Sequence, residues 1–399
     1  MLKDKNVLLC ITGGIAAYKM PNLASMLVKQ GCNVNVIMTK GAENFITAKT
    51  FEALTGNPCI TDTFERTYPV GIHHINLAQQ ADYVMVSPAT ADIIGKIANG
   101  IADDMVSTTL LACKCPVAIA PSMNVNMYEN PIVQNNIETL KKYGYIIIEP
   151  ATGYMACKAT GKGKMPEPAQ LYAYIEKALA YPDDLAGVNV LVTAGATKEA
   201  IDPVRFISNH STGKMGYAIA KVAMLRGANV TLVTGQTALE DIPFVNTIKI
   251  TSAQDMYNAV LDNFEQADIT IKAAAVADYT PVTVAENKIK KTDGDANIPL
   301  KRTKDILKEL GSKKRDNQFV CGFSMETENM LENSQKKLVN KNIDMIVANN
   351  LKTQGAGFGT DTNVITLITQ NSIVELPVMS KEECADKILN TITEIKKQK

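Results

Sequence analysis

The chain has no tryptophan, three histidines (His73, His74 and His210) and no net charge at neutral pH. Each shortage removes a class of function. So few histidines argue against a His-rich metal site, and no metal ligand is assigned. Lysine plus arginine number 41, as do aspartate plus glutamate, so no global field would gather nucleic acid or an anionic membrane. No apolar run approaches the roughly 20 residues needed to span a bilayer. The opening Met1-Leu2-Lys3-Asp4-Lys5-Asn6 runs straight into a strand-like stretch without a signal-peptide core, so a cytoplasmic protein is expected. The eight cysteines are scattered. Cys113-Lys114-Cys115 is the one close pair, its spacing is not that of zinc ligands, and thiols in a cytosolic chain stay reduced.

What is present is ordinary soluble composition, 46% hydrophobic and 21% charged, on 399 residues, enough for two cores. Asn6 to Ile11 reads as a buried parallel strand, a short apolar run without alternation. The turn Thr12-Gly13-Gly14 breaks it, Ile15 to Gln30 carries helical apolar spacing, Gly31 ends that helix, and Asn33 to Met38 is the next strand. A βαβ unit with a glycine turn offers helix N-terminal amides to a phosphate. The glycines do not complete G-x-G-x-x-G, so the turn names no particular cofactor. Strands at Asp82–Ser87, Pro116–Ala120 and Tyr145–Ile148 alternate with helices near Ala91–Asn99, Asp104–Ala112 and Ile132–Lys142, which predicts a doubly wound parallel sheet. Ser87-Pro88-Ala89-Thr90 and Pro121-Ser122-Met123-Asn124 fall at strand ends, where such sheets bind ligands.

The stretch from Gly153 to Pro168 holds three glycines, two prolines and the single cysteine Cys157. It is expected to be neither regular helix nor strand, either a mobile loop presenting one thiol or a plain linker. A helix at Ala169–Ala180 and a linker at Tyr181–Gly187 follow. The opening theme then returns: a strand at Val188–Thr193, the turn Ala194-Gly195-Ala196-Thr197, a helix at Gly216–Arg226, and Gly227–Thr234 mirroring Gly31–Met38. Lys198–Met215 is an insertion. Ser211-Thr212-Gly213-Lys214 fails as a P-loop, because Met215 stands where Ser or Thr would meet magnesium. Further strands are predicted at Asp268–Ala273, Phe319–Phe323 and Ile343–Ala348, a hairpin pairs Asn363–Thr369 with Ser372–Leu376, and a last helix covers about Lys381–Lys397. The fold expected is α/β, with two doubly wound Rossmann-like domains at 1–182 and 183–399.

The set Gly71-Ile72-His73-His74-Ile75-Asn76-Leu77, Pro121-Ser-Met-Asn124 and Ala156-Cys157…Met165-Pro-Glu-Pro168 resembles the flavin-dependent cysteine decarboxylases. Asp202-Pro-Val-Arg205-Phe-Ile-Ser-Asn209-His-Ser-Thr-Gly-Lys-Met-Gly216 and Ala273-Ala-Ala-Val-Ala-Asp278-Tyr resemble phosphopantothenate–cysteine ligase. Their order resembles the bacterial bifunctional family that joins phosphopantothenoylcysteine decarboxylase to that ligase, over nearly the whole chain. The resemblance implies a flavodoxin-like first domain with FMN. Oxidising the thiol beside the substrate carboxylate creates the electron sink that carboxylate lacks, and the later reduction needs a proton donor. It implies that His74 serves the oxidative decarboxylation, Asn124 binds the substrate carboxylate and Cys157 donates the proton from a flap. Gly13, Gly14, Thr39, Ser87, Pro88, Ala89, Thr90 and Ser107 would contact FMN.

In the second domain the resemblance implies that 4′-phosphopantothenate is activated by CTP as an acyl-cytidylate, then attacked by L-cysteine, with Mg²⁺ and lysines neutralising phosphates. Asn209 would stabilise the acyl-cytidylate and Lys288 contact the activated phosphate. Asp278, Asp305, Ile306, Phe323, Lys337 and Lys341 would line the nucleotide site. Taken singly, Lys337 and Lys341 read as a solvated helix face. The family's flap often has Gly-Asp after the cysteine, where this chain has Lys158-Ala159, and Lys164 replaces an arginine, a point charge for a bidentate fork. The resemblance also implies a homo-oligomer, with a trimerising flavin domain and a dimerising ligase domain that together close a dodecamer. Two other readings are a generic flavin or nicotinamide oxidoreductase and a non-catalytic flavin-binding regulatory protein. The incomplete dinucleotide fingerprint weighs against the first, and the presence of both the flap cysteine and the ligase half against the second.

Overall fold

The computed structural model describes residues 2–64, 72–154, 160–291, 297–326, 330–350, 357 and 359–398. The chain divides into two compact units, Met1–Tyr181 and Pro182–Lys399. The expected pair of doubly wound sheets is present, one in each.

Among the described residues of the first unit, six parallel strands are β1 (Asn6–Ile11), β2 (Asn33–Met38), β3 (Cys59–Ile60), β4 (Tyr83–Ala89), β5 (Val117–Pro121) and β6 (Ile146–Ile147), ordered β3-β2-β1-β4-β5-β6. Leaving out the two-residue β3, the order is that of flavodoxin-like sheets. Alternate residues of β1 enter opposite cores: Val7, Leu9 and Ile11 on one face, Leu8 and Cys10 on the other. A strand buried on both faces therefore has no polar alternation. The helix Met20–Lys29 turns Met20, Leu23, Ala24 and Leu27 onto the sheet, and Gly31, at φ +81°, follows its end.

The structure corrects the reading of Gly153–Pro168. β7 (Ala151–Tyr154) and β8 (Thr160–Lys164) form an antiparallel hairpin, and Pro168 opens the helix Pro168–Leu179. The glycines mark a close approach, not a loop. A Cβ on Gly161 would lie 2.8 Å from Val125 Cγ2, so a strand fits there only without a side chain. Residues 155–159, with Cys157, lie outside the described residues.

The second unit's strands are β9 (Asn189–Ala194), β10 (Glu199–Ala200), β11 (Phe206–Ile207), β12 (Asn229–Thr234), β13 (Asn246–Lys249), β14 (Ile269–Lys272), β15 (Tyr279–Pro281), β16 (Leu300–Arg302), β17 (Phe319–Glu326), β18 (Met345–Asn350), β19 (Thr362–Asn363), β20 (Ile365–Thr369), β21 (Ile373–Glu375) and β22 (Met379–Ser380). The main sheet runs β13-β12-β9-β14-β17-β18-β20-β21, with β20 and β21 the antiparallel edge. Helices Ala253–Phe264, Ile306–Lys313 and Met330–Asn340 supply one core. The helix Lys214–Leu225 packs against both the sheet and the last helix, Lys381–Gln398, which explains why it is apolar nearly all round. The predicted hairpin is present but shorter, because Asn363 pairs with Met379 instead.

The expected linker is largely part of the second unit. Leu185 is buried and its amide donates to the Arg226 carbonyl at 2.9 Å. The Arg226 guanidinium, 3% exposed, pairs with Asp184 and with Asp386 of the last helix. Both carboxylates keep access to water, so losing the arginine costs less than the 3–5 kcal/mol of a fully buried pair. Arg226→Met should destabilise the second unit by about 2 kcal/mol in urea unfolding of the full chain. An unchanged midpoint would mean that the pair contributes nothing.

Candidate active sites

In the first unit the strand order reverses between β1 and β4, so a crevice opens at their carboxyl ends. Thr12 fastens it: its hydroxyl donates to the Pro88 carbonyl at 2.6 Å and accepts from the Thr90 amide at 3.2 Å. Two adjoining cavities lie there. One, of about 740 Å³, is walled by Gly13, Thr39, Thr90, Lys96, Asp103 and Asp104 among others. The second, of about 730 Å³, shares Gly13 and Thr90 and adds Gly14, Lys19, Asn124, Lys164 and Glu167. A Cβ on Gly13 would sit 3.0 Å from the Gly41 backbone, so the two loops meet only because this residue is glycine.

Charge is organised on both walls. Lys96 lies 3.0 Å from Asp103, 3.0 Å from Asp104 and 3.4 Å from Asp92. Burial opposes its charge, but Asp103 and Asp104 outweigh burial and hold the ammonium above the usual lysine range. Across the second cavity, the Lys19 ammonium 2.6 Å from Glu167 holds that carboxyl below its usual range. Lys164 stands 3.8 Å from the same carboxylate. Lys19 escaped the sequence reading, although it closely follows the glycine turn, and Glu167 entered it only as part of the Met165–Pro168 motif.

Of the residues expected at FMN, Gly13, Gly14, Thr39 and Thr90 line the cavities. Ser87, Pro88, Ala89 and Ser107 are buried and do not. The Ser87 hydroxyl faces Met165 Sδ at 3.1 Å. The Ser107 hydroxyl accepts from the Asp103 and Asp104 amides, at 3.3 and 3.1 Å, inside a helix cap. Asn124 has two roles in the structure: an N-cap, its Oδ1 accepting from the Asn126 amide at 2.9 Å, and a cavity-lining residue. His74 is half-buried on the helix His73–Gln80, which packs against Met105–Ala112, and lines neither cavity.

The second unit repeats the arrangement between β9 and β14. The Ala274 amide donates to Thr193 Oγ1 at 3.1 Å and the Ala277 amide to Thr197 Oγ1 at 3.0 Å. Asn209 bridges the gap from above: Nδ2 donates to the Ala275 carbonyl at 2.9 Å, and Oδ1 accepts from the Ser211 amide at 2.9 Å. Its two partners belong to the wall of a cavity of about 160 Å³, lined by Ser211–Met215, Ala273–Ala275, Phe323, Asn363 and Lys381 among others. Asp305, capping the helix Ile306–Lys313, pairs with Lys341 at 3.0 Å, and Lys337 lies 3.5 Å from the Ser324 hydroxyl. Ile306 itself is buried, and Asp278 and Lys288 are exposed.

Lys272, at the end of β14, was not anticipated, since it closes a buried strand, Ile269-Thr270-Ile271. Burial pushes its ammonium down to about 8, Lys341 adds to this, and Asp305 and Asp278 oppose it. Among the described residues no group of three His, Cys, Asp or Glu side chains could hold a metal ion, and no helix is long and apolar enough to cross a membrane.

Residues 1–180 match the family profile "Flavoprotein", and residues 185–395 match "DNA/pantothenate metabolism flavoprotein C-terminal domain". The chain is 50% identical to the coenzyme A biosynthesis bifunctional protein CoaBC of Bacillus subtilis, across 100% of this chain and 99% of that protein. The chain belongs to this bifunctional family. The protein of the same name from Escherichia coli K12 is 40% identical over 98% of this chain and 97% of its own length. A solved structure of the C-terminal domain of such a protein is 44% identical, with a TM-score of 0.47, over 54% of this chain and 98% of that one.

One family motif also accounts for the position of Lys288. Asp202, 3% exposed, accepts from the amides of Val204 and Arg205, both at 2.8 Å, from the Arg205 guanidinium, and from the Ile289 amide at 3.2 Å. Arg205 returns a bond to the Ile289 carbonyl at 2.9 Å, so Lys288 sits beside a doubly tied residue. The Arg205 guanidinium holds the Asp202 carboxyl well below the usual range. A depressed folded pKa gives stability that is present above the unfolded value of about 4 and lost as pH falls through the folded one. Asp202→Asn should therefore lower the melting temperature at pH 7 and lose its deficit as the pH is taken toward about 2. A deficit independent of pH would contradict the role given to its charge.

Proposed function

We propose that this chain performs two consecutive steps of coenzyme A biosynthesis: the second unit ligates cysteine to 4′-phosphopantothenate, and the first decarboxylates the 4′-phosphopantothenoylcysteine so formed. The observation that carries this is identity with bifunctional relatives along the whole of both chains. Two separate crevices, each at a strand-order reversal, supply the two sites the reactions need.

In the first unit the glycine cradle at Gly13 and the hydroxyls of Thr39 and Thr90 suit a flavin phosphate, and FMN is the group proposed there. When bound, FMN supplies the two-electron oxidation of the substrate thiol and its reversal. The chain's own residues do the rest. Asn124 holds the departing carboxylate on the wall of the second cavity, with Lys19 and Lys164 to meet negative charge. Cys157 delivers the closing proton. His74 lines neither cavity of its own copy, and Ile72 and Leu111, on the elements around it, are 61% and 47% exposed. These fit a self-associating flavin unit, with His74 of one copy serving the next.

In the second unit CTP is the proposed activator, with Mg²⁺ arriving on its phosphates. The Asn209 bridge holds the acyl intermediate's carbonyl, Lys288 meets the activated phosphate, and Phe323, Asp278, Asp305, Lys337 and Lys341 frame the nucleotide.

Mass spectrometry of the full chain with FMN, Mg²⁺, CTP, cysteine and 4′-phosphopantothenate should give 4′-phosphopantetheine. Cys157→Ser should ligate normally and stop at an oxidised, decarboxylated species, with the final reduction slowed at least roughly 100-fold. Absence of any CTP-dependent product from the wild type would overturn the ligase assignment. Wild type that accumulates the ligated acid would overturn the decarboxylase assignment. In sedimentation, Leu111→Asp should shift the full chain toward smaller species, and an unchanged profile would remove this face from the self-association.

A further inference from the structure

Lys214 and Lys381 share the wall of the second unit's cavity and have no part in the reading above. Lys381 is 6% exposed, and its ammonium donates to the carbonyls of Gly357, at 3.1 Å, and Thr360. Lys214 donates to the Gly359 carbonyl at 2.9 Å and pairs with Asp361 at 2.7 Å. The Asp361 side chain is 90% exposed. Burial, and after it the nearby Lys214, push the Lys381 ammonium below the usual lysine range. Among the described residues Lys381 forms no ion pair, and neutral carbonyls offset a buried charge poorly. Two cations thus face one solvent-washed carboxylate. Both lysines also line an adjoining cavity of about 450 Å³, so they stand where the two spaces meet.

We propose that Lys214 and Lys381 form a phosphate-holding subsite of the ligase unit. The inference rests on the ligase reading and adds to it the residues that hold a phosphate group. Phosphate oxygens accept charge-assisted bonds from both ammoniums at once and supply the negative charge that the described residues of this wall lack. Asp361, mostly in water, yields Lys214 at little cost. Ser211 lines the same wall, and its hydroxyl is a neutral donor beside the pair. Two phosphates of the reaction have the required chemistry, the polyphosphate of CTP and the 4′-phosphate of 4′-phosphopantothenate.

Steady-state kinetics of the full chain, followed as pyrophosphate release, separate them. Lys214→Met and Lys381→Met should each raise one KM by roughly 10- to 100-fold with a smaller fall in kcat, and the arginine variants should recover part of it. A raised KM for CTP, together with weaker inhibition by added pyrophosphate, supports the pair as the nucleotide's subsite. A raised KM for 4′-phosphopantothenate alone supports it as the other phosphate's. Unchanged KM values for both substrates in a folded variant overturn the proposal. If Lys381→Met fails to fold, as loss of its carbonyl contacts could cause, the half-buried Lys214 decides the matter alone. Wild type that releases no pyrophosphate overturns the ligase reading itself, an outcome distinct from failure of the pair.

Discussion

A parallel sheet whose order reverses sends two neighbouring strands into connections on opposite faces, and some backbone groups at their carboxyl ends then lack sheet partners. Both units meet this constraint with threonine hydroxyls. Thr12 takes the Pro88 carbonyl and the Thr90 amide in the first, and Thr193 and Thr197 take the Ala274 and Ala277 amides in the second. A hydroxyl both donates and accepts, so it closes the floor of a crevice without a further strand filling it. Everything placed in either site depends on that floor staying open and tied.

From the same floor the two crevices differ in size and charge. The first leads to two large cavities, one carrying a lysine amid three carboxylates and the other a carboxylate between two lysines. The second is small and lined by the cations Lys214 and Lys381, with Asn209 bonded to two of its lining residues, Ser211 and Ala275, and the Asp305–Lys341 pair on the same sheet's carboxyl side. Charges of both signs around a large space suit a ring system and a carboxylate that must leave. Excess positive charge in a small space suits polyphosphate.

Much of the fold was legible because the physics was local. β1 and β9 are buried on both faces and so read as short apolar runs without alternation, and the helix Met20–Lys29 carries its period openly. What was not legible depends on contacts distant in sequence. The glycines of β8 look like loop residues until Val125 is seen against Gly161. Ser87 and Ser107 are hydroxyls at the right strand and helix ends, yet each is taken up by neighbours below the cavity wall. Leu185 and Asp184 read as linker because Arg226, their partner, lies some forty residues on. Lys272 and Lys381 gave no periodic signal, since their importance comes from burial next to other charges.

The division of labour between the two crevices can be tested in one experiment, with Asn124→Asp and Asn209→Asp variants of the full chain assayed separately and mixed. If each crevice runs its own reaction, the first variant accumulates 4′-phosphopantothenoylcysteine, the second makes none, and the mixture forms 4′-phosphopantetheine as the ligated acid passes between molecules. If either single change abolished both reactions, or the mixture stayed inactive although each variant kept its other activity, two independent sites would be contradicted.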